Sequence, residues 1–308
     1  MMETKLVTLV NERVKLRQRL ESLLYGTVEI RIKDDKKYLY VHYRENGLAY
    51  TKYAGVYNEE LYRLILKNNI EARNLKKALR EINKTLKTFN YVAKELSEKI
   101  KVNIDFVRKH LVETVYKQVV LEDIAATYLD TETIIDGGKV NGLVATDVLK
   151  ILNLKHAWDF VLNENIITLV TSFEILCDIN RLVTEGFYYN AGTIRSVPVS
   201  IGGTSWQPPV PIKQVVIEEL NQILSSKILL EDKAIALLLY VMKRQIFLDG
   251  NKRTAVIFAN HLLISKGFGI IAISESLVPQ YKVLLISYYE GKDETIKTFL
   301  KQHCLVRI

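Results

Sequence analysis

The residues best suited to chemistry are concentrated in one stretch, 245–256, which reads Q-I-F-L-D-G-N-K-R-T-A-V. A carboxylate, Asp249, precedes Gly250 and Asn251, and two basic residues and an apolar run follow. This order suits a turn into a helix, whose first backbone N–H groups lack intrahelical partners and favour an anion. The basic residues suit phosphate oxygens, and the carboxylate suits a hard cation such as Mg²⁺. The stretch therefore predicts a nucleotide-phosphate site, although a glycine C-cap with solvated charges beside it has the same spacing.

This stretch resembles the signature of the Fic/Doc (Fido) family, which lies on a loop between two helices. The family pattern is His-x-Phe-x-(Asp/Glu)-(Gly/Ala)-Asn-(Gly/Lys)-Arg. The Lys-Arg-Thr-Ala ending is closer to the Doc branch than to the branch that reads Gly-Asn-Gly-Arg-x-x-Arg. Six positions match the pattern: Phe247, Asp249, Gly250, Asn251, Lys252 and Arg253.

A second segment, at 191–211, resembles the β-hairpin flap that covers the active site in this family. It reads A-G-T-I-R, then V-S-I-G-G-T-S-W, then P-P-V-P. Four of the five prolines of the chain lie between Pro198 and Pro211. Proline removes a backbone donor and favours edges and loops, as an extended flap requires. The resemblance covers about residues 120–305.

The resemblance implies a mainly α fold, with a Fic-type helical core and a β-hairpin flap, and it assigns roles to residues. Asp249 would hold Mg²⁺, and Phe247 would anchor the loop in the core. Gly202, Gly203 and Thr204 of the flap would align an extended segment of a protein target by main-chain pairing. ATP, or another nucleotide, would place its phosphates against four residues at the start of the following helix: Gly250, Asn251, Lys252 and Arg253.

Two positions depart from the family pattern, because Gln245 stands where the catalytic His is expected and Val256 where a second Arg is expected. In the family, the His accepts the proton of the attacking hydroxyl. Gln does not titrate near neutral pH, so it cannot supply the ~10²–10⁴ in rate typical of general-base catalysis. We therefore expect impaired transfer with nucleotide binding retained. All five histidines lack metal-ligand spacing and are expected to be structural: His42, His110, His156, His261 and His303.

Residues 131–138, T-E-T-I-I-D-G-G, resemble the inhibitory motif (Ser/Thr)-x-x-x-Glu-(Gly/Asn) of the class in which that motif precedes the active-site loop. In that class the Glu reaches the second Arg and blocks productive placement of the γ-phosphate. Here the acid is Asp136, Thr133 is next to the Ser/Thr position, and the Arg is Val256. Both ends of the ion pair are altered, so we do not expect inhibition by this route. A helix C-cap at Asp-Gly-Gly fits the same residues.

Four functions remain open at this point. The family's usual reaction is AMP transfer from ATP to a protein hydroxyl, here slowed by Gln245. Absence of the second Arg leaves Doc-like phosphotransfer open, because the nucleotide can then bind in the other orientation. A non-catalytic nucleotide-binding or scaffold protein fits the retained loop residues equally well. Removal of AMP from a target is least favoured, because it needs both the His and the inhibitory Glu.

Composition is that of a soluble globular protein: 308 residues, 48% hydrophobic and 25% charged. No apolar run is long enough to span a bilayer, and the charges throughout 1–24 are unlike a signal peptide, so we expect no membrane partner. The two cysteines, Cys177 and Cys304, are too few for a disulfide framework or a zinc site. A reducing, cytoplasmic setting is the default expectation.

Charge is unevenly distributed along the chain. Residues 1–110 contain 24 Lys and Arg against 14 Asp and Glu, whereas the remaining 198 residues contain 19 against 21. A basic region of this kind is typical of a nucleic-acid surface. A solvated helix face gives the same mixed pattern, so both interpretations stay open.

The sequence predicts three parts: an N-terminal helix and small β-sheet (1–57), a long helical connector (58–119) and a Fic-like domain (120–308). Within the first part, alternation predicts strands at 27–32, 37–43 and 48–53. Turns are expected at Asp34-Asp35 and at Asn46-Gly47. Five tyrosines lie among basic residues of these strands and either stack on nucleic-acid bases or pair across strands: Tyr38, Tyr40, Tyr43, Tyr50 and Tyr53.

The connector is predicted to be one long helix from Asn58 with a heptad seam. The stripe would be buried either within the chain or in a homodimer. Two interleaved series repeat every seven residues: Leu75, Ile82, Phe89 and Leu96, and Leu79, Leu86, Ala93 and Ile100.

Overall fold

The computed structural model describes residues 2–45, 48–89, 91, 95–292 and 294–308. They form two compact units, an N-terminal unit (residues 1–92) and a C-terminal unit (residues 93–308), and each is described by itself. The N-terminal unit contains 19 Lys and Arg against 11 Asp and Glu, and the C-terminal unit contains 24 of each. The whole net charge of +8 therefore belongs to the N-terminal unit.

The N-terminal unit is a three-stranded antiparallel sheet with one helix before it and one after it. The three strands are hydrogen-bonded in the order in which they occur in the chain. Asp34 and Asp35 have φ of 49° and 58°, the left-handed conformation of a tight hairpin turn, whereas Asn46-Gly47 lies outside the described residues. The elements are α1 (Met2–Ser22), β1 (Thr27–Lys33), β2 (Lys36–Glu45), β3 (Leu48–Val56) and α2 (Glu59–Thr88).

Two cross-strand tyrosine pairs lie on opposite faces of this sheet, because three residues separate them along each strand. The rings of Tyr43 and Tyr50 are stacked with centroids 5.5 Å apart, and those of Tyr40 and Tyr53 are tilted at 5.4 Å. Such pairs stabilise a small sheet. Aromatic pairing across strands, one of the two roles considered for these tyrosines, is therefore present.

The prediction of one long connecting helix is wrong. Helix α2 ends at Thr88, and the next helix, α3 (Glu98–Lys109), begins after Ser97. The Ser97 side chain accepts a hydrogen bond from the Ile100 N–H at 3.4 Å. A serine cap of this kind competes with continuation of a helix from before it. Ala93 of the predicted seam lies outside the described residues. Helix α1 packs against α2. Three residues of the predicted stripe are buried within α2: Leu79, Ile82 and Leu86.

The C-terminal unit is mainly helical, which confirms the expected fold class. Two short antiparallel strands, β4 (Gly269–Ile271) and β5 (Leu305–Arg307), form a small sheet in this unit. Its helices are α3 (Glu98–Lys109), α4 (Leu111–Leu121), α5 (Tyr128–Ile135), α6 (Ala145–Val161), α7 (Glu164–Ile167), α8 (Phe173–Val183), α9 (Lys213–Ser225), α10 (Leu230–Arg244), α11 (Asn251–Ile264), α12 (Val278–Tyr289) and α13 (Thr295–Phe299). The remaining elements are β4 (Gly269–Ile271), a 3₁₀ turn (Glu275–Leu277), a π-helical turn (Leu300–Cys304) and β5 (Leu305–Arg307).

Helix α11 is the centre of this unit. Every one of its residues except Lys252 is buried, and it packs against α6, α8, α10 and β4. A helix buried on all sides must satisfy its polar side chains internally. Asn260 does so by pairing with both the N–H and the carbonyl of Ile271, at 2.7 and 2.9 Å. The start of α11, where the candidate site lies, is thus fixed in the core.

The segment expected to form a β-hairpin flap is an extended loop. No strand is assigned between 184 and 212, all of which the structure describes. The Arg195 guanidinium donates to the carbonyls of Val197, Pro208 and Pro209 at 2.7, 3.1 and 2.8 Å. A side chain therefore takes acceptors that a partner strand would otherwise use, and the prolines have no N–H to donate in return. The hairpin prediction is wrong in this detail.

Two further expectations concern membranes and thiols. Among the described residues, no helix has both the length and the apolar content needed to cross a membrane. Cys177 and Cys304 are both free. Burial raises the pKa of each thiol to about 12, so both are protonated at neutral pH.

Candidate functional site

The candidate site is the loop between α10 and α11, and its two ends have left-handed backbones. Gln245 ends α10 with φ 47°, and Gly250 begins α11 with φ 74°. A Cβ at Gly250 would lie 2.7 Å from Thr184 Cγ2, so both the conformation and the space require glycine. A left-handed Gln costs about 1–2 kcal/mol. Its amide offsets this cost by donating from Nε2 to the Met242 carbonyl at 2.6 Å.

Asn251 fastens the loop. Its side chain accepts from the Phe247 N–H at 2.9 Å and donates to the Phe247 carbonyl at 2.8 Å and to Gln245 Oε1 at 3.1 Å. Asn251 is only 4% exposed, and Phe247 is fully buried. Gln245 therefore uses both ends of its amide inside the protein, one on α10 and one on Asn251.

Both cations of the loop contact carboxylates. The Arg253 guanidinium lies 3.1 Å from Asp249 Oδ2 and 3.4 Å from Glu122 Oε2, and Lys252 Nζ lies 3.3 Å from Glu122 Oε1. The Arg253 side chain is 3% exposed and also donates to the Val183 carbonyl at 3.3 Å. In this conformation, Lys252 and Arg253, which were expected to bind phosphate, are paired with carboxylates of the protein itself.

Glu122 was not singled out in the sequence. It caps the end of α4, and its side chain is 15% exposed. The expected inhibitory acid, Asp136, is instead an exposed C-cap of α5. There Gly137 has φ 80°, and the Gly138 N–H donates to the Thr133 carbonyl at 2.8 Å. The Asp-Gly-Gly sequence thus forms the helix C-cap that was its alternative interpretation.

A cation site at the loop can draw on one carboxylate. Asp249 is 43% exposed, and its Oδ2 already accepts from Arg253. Among the described residues, no three His, Cys, Asp or Glu side chains are grouped as a metal site requires. Mg²⁺ is commonly held by one or two carboxylates together with substrate phosphates and water. The residues fit that partial arrangement and not a closed protein site.

The flap loop is hydrogen-bonded to the C-terminal ends of α12 and α10. Thr204 Oγ1 donates to Glu290 Oε1 at 3.1 Å and accepts from the Trp206 N–H at 3.1 Å. The Trp206 indole donates to the Lys243 carbonyl at 3.4 Å, two residues before the loop begins. Gly203 has φ 81°, and a Cβ at Gly202 would meet nothing within 4 Å. The space beside Gly202 is thus open, and its role in aligning a target stays a prediction.

Two buried polar residues join the flap to the loop. Asn180, on α8, donates to the Asp249 carbonyl at 2.9 Å and to Thr254 Oγ1 at 3.1 Å, and it accepts from the Gly192 N–H at 3.1 Å. Arg195 Nε donates to the Gln245 carbonyl at 2.5 Å. Asn180 carries no sequence signal. Arg195 lies in the A-G-x-x-R pattern, but its function as a hub of carbonyl contacts is visible only in the structure.

His261 is structural, as expected. It is fully buried on α11, with Nδ1 2.9 Å from Thr171 Oγ1 and Nε2 3.2 Å from the Ile166 carbonyl. Burial lowers the pKa of the imidazole to about 4, so it is neutral at physiological pH. It cannot replace the missing base of the loop.

Comparison with known proteins gives a family match and similar folds. Residues 170–263, which include the flap and the loop, match the model of the Fic/DOC family. Solved Fic proteins share the fold. Fic-1 (residues 134–508) from C. elegans is 19% identical with a TM-score of 0.53, covering 79% of this chain and 73% of that one. A Fic domain-containing signalling protein from Bacteroides thetaiotaomicron VPI-5482 is 16% identical with a TM-score of 0.52, covering 68% and 86%.

A third similar structure is a Fic family protein from Desulfovibrio desulfuricans G20, 14% identical with a TM-score of 0.52, covering 68% of this chain and 73% of that one. No curated protein matches the chain. The resemblance to the Fic/DOC family is therefore confirmed, and the fold is that of a Fic-type protein. The ligand-binding roles of the loop residues stay predictions.

Proposed function

We propose that the C-terminal unit binds a magnesium nucleotide at the loop 245–253 and slowly transfers AMP to a hydroxyl of a protein target. The observation that carries this proposal is the start of α11, where Lys252 and Arg253 lie in the first turn of a helix fixed in the core. Rigid positioning and charge stabilisation are the main contributions that a protein makes to transfer from a nucleoside triphosphate.

Binding requires an exchange of partners at the loop. Lys252 and Arg253 would release Glu122 and take up phosphate oxygens, whose charge is also favoured by the first amides of α11. Asp249 would hold Mg²⁺, which when bound neutralises phosphate charge. The flap residues Gly202, Gly203 and Thr204 would align an extended target segment. Arg253 already donates to Asp249, so the same contact would keep that carboxylate oriented.

Slow transfer follows from the chemistry of Gln245. An amide does not take up a proton near neutral pH, and this amide is engaged at both ends by Met242 and Asn251. The hydroxyl oxygen would bond to the α-phosphorus of ATP as the α–β phosphoanhydride bond breaks and pyrophosphate leaves. The proton of the attacking hydroxyl would leave to water. Loss of a positioned general base typically costs about 10²–10⁴ in rate.

Gln245→His tests this proposal directly. We expect the variant to incorporate at least about 100-fold more label from ATP labelled at the α-phosphate, because an imidazole restores a general base. Gln245→Asn is the control, since it changes size without adding a base. Equal incorporation by wild type, Gln245→His and Gln245→Asn would end the proposal. Label from the γ-phosphate in place of the α-phosphate would show Doc-like phosphotransfer instead.

A second candidate is a non-catalytic nucleotide-binding protein, and one observation favours it. Gln245, which stands in place of a base, is engaged at both ends of its amide by Met242 and Asn251, whereas Lys252 and Arg253 remain in the first turn of α11. Calorimetry with ATP and Mg²⁺ separates the two candidates when it is combined with the labelling assay. Heat that Lys252→Ala reduces, without label in Gln245→His, would establish binding alone. Absence of heat in the wild type would dispose of both.

A further inference from the structure

A cavity of about 520 Å³ opens in the N-terminal unit between the sheet and α2. Its wall includes three tyrosine rings, Tyr25, Tyr43 and Tyr62, and two cations, Arg73 and Lys76. The volume lies within the range of about 300–1,000 Å³ found for small-ligand sites. None of these residues belongs to the Fic-type unit, so the cavity is independent of the function proposed above.

Contacts with neighbouring rings hold the tyrosines of the cavity in place. Tyr43 stacks on Tyr50 with centroids 5.5 Å apart, and Tyr25 lies 6.4 Å from Tyr43 at an angle of 43°. Next to Tyr25 in the chain, the Gly26 backbone and the Asn69 side chain exchange two hydrogen bonds, at 2.7 and 3.0 Å. A Cβ at Gly26 would lie 2.3 Å from the His42 carbonyl, so glycine allows this close approach of the chain to β2. The aromatic wall is thus preorganised and needs little ordering to bind a flat partner.

The cations of the cavity differ from those of the Fic-type loop. Lys76 Nζ lies over the Tyr25 ring, 4.6 Å from its centroid. Arg73 is exposed and, within the part of the chain that the structure describes, has neither a hydrogen bond nor an ion pair. His42, which also lines the cavity, is occupied by Glu29 and Thr51 at 2.6 and 2.9 Å. The cavity therefore offers planar rings beside positive charge that lacks an internal counter-ion.

We propose that this cavity binds a base of single-stranded nucleic acid, with Arg73 and Lys76 on the flanking phosphates. Stacking on aromatic rings beside a cationic track is the usual way in which proteins hold single strands without sequence preference. The net charge of +8, all of it in this unit, favours a polyanion. A paired base inside a duplex cannot reach such a cavity, which selects the single strand. An acidic protein would use the cations but not the rings.

Fluorescence anisotropy with the full chain and a labelled twelve-nucleotide oligothymidylate tests the proposal. We expect tighter binding to this strand than to a duplex of the same length, with affinity falling as salt rises. Tyr25→Leu should weaken binding by about tenfold with an unchanged salt dependence, because it removes a ring but no charge. Lys76→Ala should weaken binding and reduce the slope of log affinity against log salt by about 0.7, the value for one phosphate contact.

Lys67→Ala is the matched control, since Lys67 is an exposed lysine on the face of α2 opposite the cavity-lining positions. It should leave affinity and slope nearly unchanged. Circular dichroism and melting temperature establish that each variant is folded. Equal losses in Lys67→Ala and Lys76→Ala, or no loss in Tyr25→Leu when folded, would overturn the proposal. So would competition by polyglutamate as effective as that by unlabelled oligothymidylate, because it would mean that charge alone is recognised.

Discussion

The cations at the N-terminal cavity and at the loop 245–253 differ in their contacts with carboxylates. In the N-terminal unit, positive charges outnumber negative ones by eight, and Arg73 faces an open cavity without an ion pair among the described residues. In the C-terminal unit the charges balance, and Lys252 and Arg253 share the Glu122 carboxylate. Arg73 is thus available to an anionic partner, whereas Lys252 and Arg253 already contact a carboxylate of the protein.

Burial explains this difference. A guanidinium that is 3% exposed, such as that of Arg253, needs partners inside the protein, because an unpaired buried charge costs several kcal/mol. An exposed guanidinium such as that of Arg73 is satisfied by water and remains available to an outside anion. An anion that binds the Fic-type loop must displace a carboxylate, whereas one that binds the N-terminal cavity displaces only water.

The largest expected effect concerns a buried arginine that has carbonyl partners. Arg195 is 2% exposed and donates to four backbone carbonyls, those of Gln245, Val197, Pro208 and Pro209. Arg195→Met leaves these acceptors unsatisfied, so we expect a loss of about 4 kcal/mol or more in unfolding free energy. Urea unfolding followed by circular dichroism measures it.

The control for this prediction comes from the other unit. Arg73→Met removes the same charge from an exposed position and should change stability by less than about 0.5 kcal/mol. If the two variants were equally stable, burial would not be what separates the two regions.

The next largest effect is a pH dependence of the C-terminal unit. Burial lowers the pKa of His261 to about 4, so between pH 6.5 and about 4 the unfolded chain binds a proton that the folded protein excludes. Stability is therefore full above pH 6.5 and falls as the pH drops, by on the order of 3 kcal/mol in total. Urea unfolding followed by the fluorescence of Trp158 and Trp206, both in this unit, reports the change. His261→Gln should remove that part of the pH dependence, and an unaltered slope would contradict the assignment.

Much of the fold is readable from local patterns. The alternation of the strands and the Asp34-Asp35 turn are local properties, and the structure has both. A helix starting just after Asp249 follows from glycine and an apolar run, and α11 begins at Asn251. The prediction of one long connecting helix was wrong because the heptad spacing continues across Ser97. Ser97 caps a new helix, and this local signal outweighs the periodicity.

The site was less predictable, because its decisive contacts are distant in sequence. Glu122 reaches Arg253 across 131 positions, and no motif marks an acid at the end of a helix as a partner of a loop. The flap failed as a hairpin for a related reason: Arg195 satisfies carbonyls that the pattern assigns to a partner strand. Spacing identifies which residues are capable of chemistry, whereas their pairing depends on tertiary structure.

The smallest effect, and the most direct test of the comparison, is expected from Glu122→Gln. The change keeps the size of the side chain and removes the charge that Lys252 and Arg253 contact at 3.3 and 3.4 Å. An incoming phosphate then displaces a neutral amide, so we expect ATP with Mg²⁺ to bind about tenfold more tightly, a gain of about 1.4 kcal/mol. Calorimetry measures this gain, and Lys252→Ala in the same background should abolish most of it.

Glu113→Gln is the matched control for Glu122→Gln. Glu113 lies on the same helix, α4, and its carboxylate contacts Lys117 and not the loop. It removes the same charge from the unit, so any gain that it shares with Glu122→Gln reflects the general field of the protein. A gain confined to Glu122→Gln would mean that the Glu122 carboxylate competes with phosphate for Lys252 and Arg253. Removing its charge would then make these cations available to an anion, as Arg73 of the N-terminal unit already is. Equal affinities in wild type and both variants would mean that the loop cations do not hold the phosphates, and the contrast between the two units would then lie in packing alone.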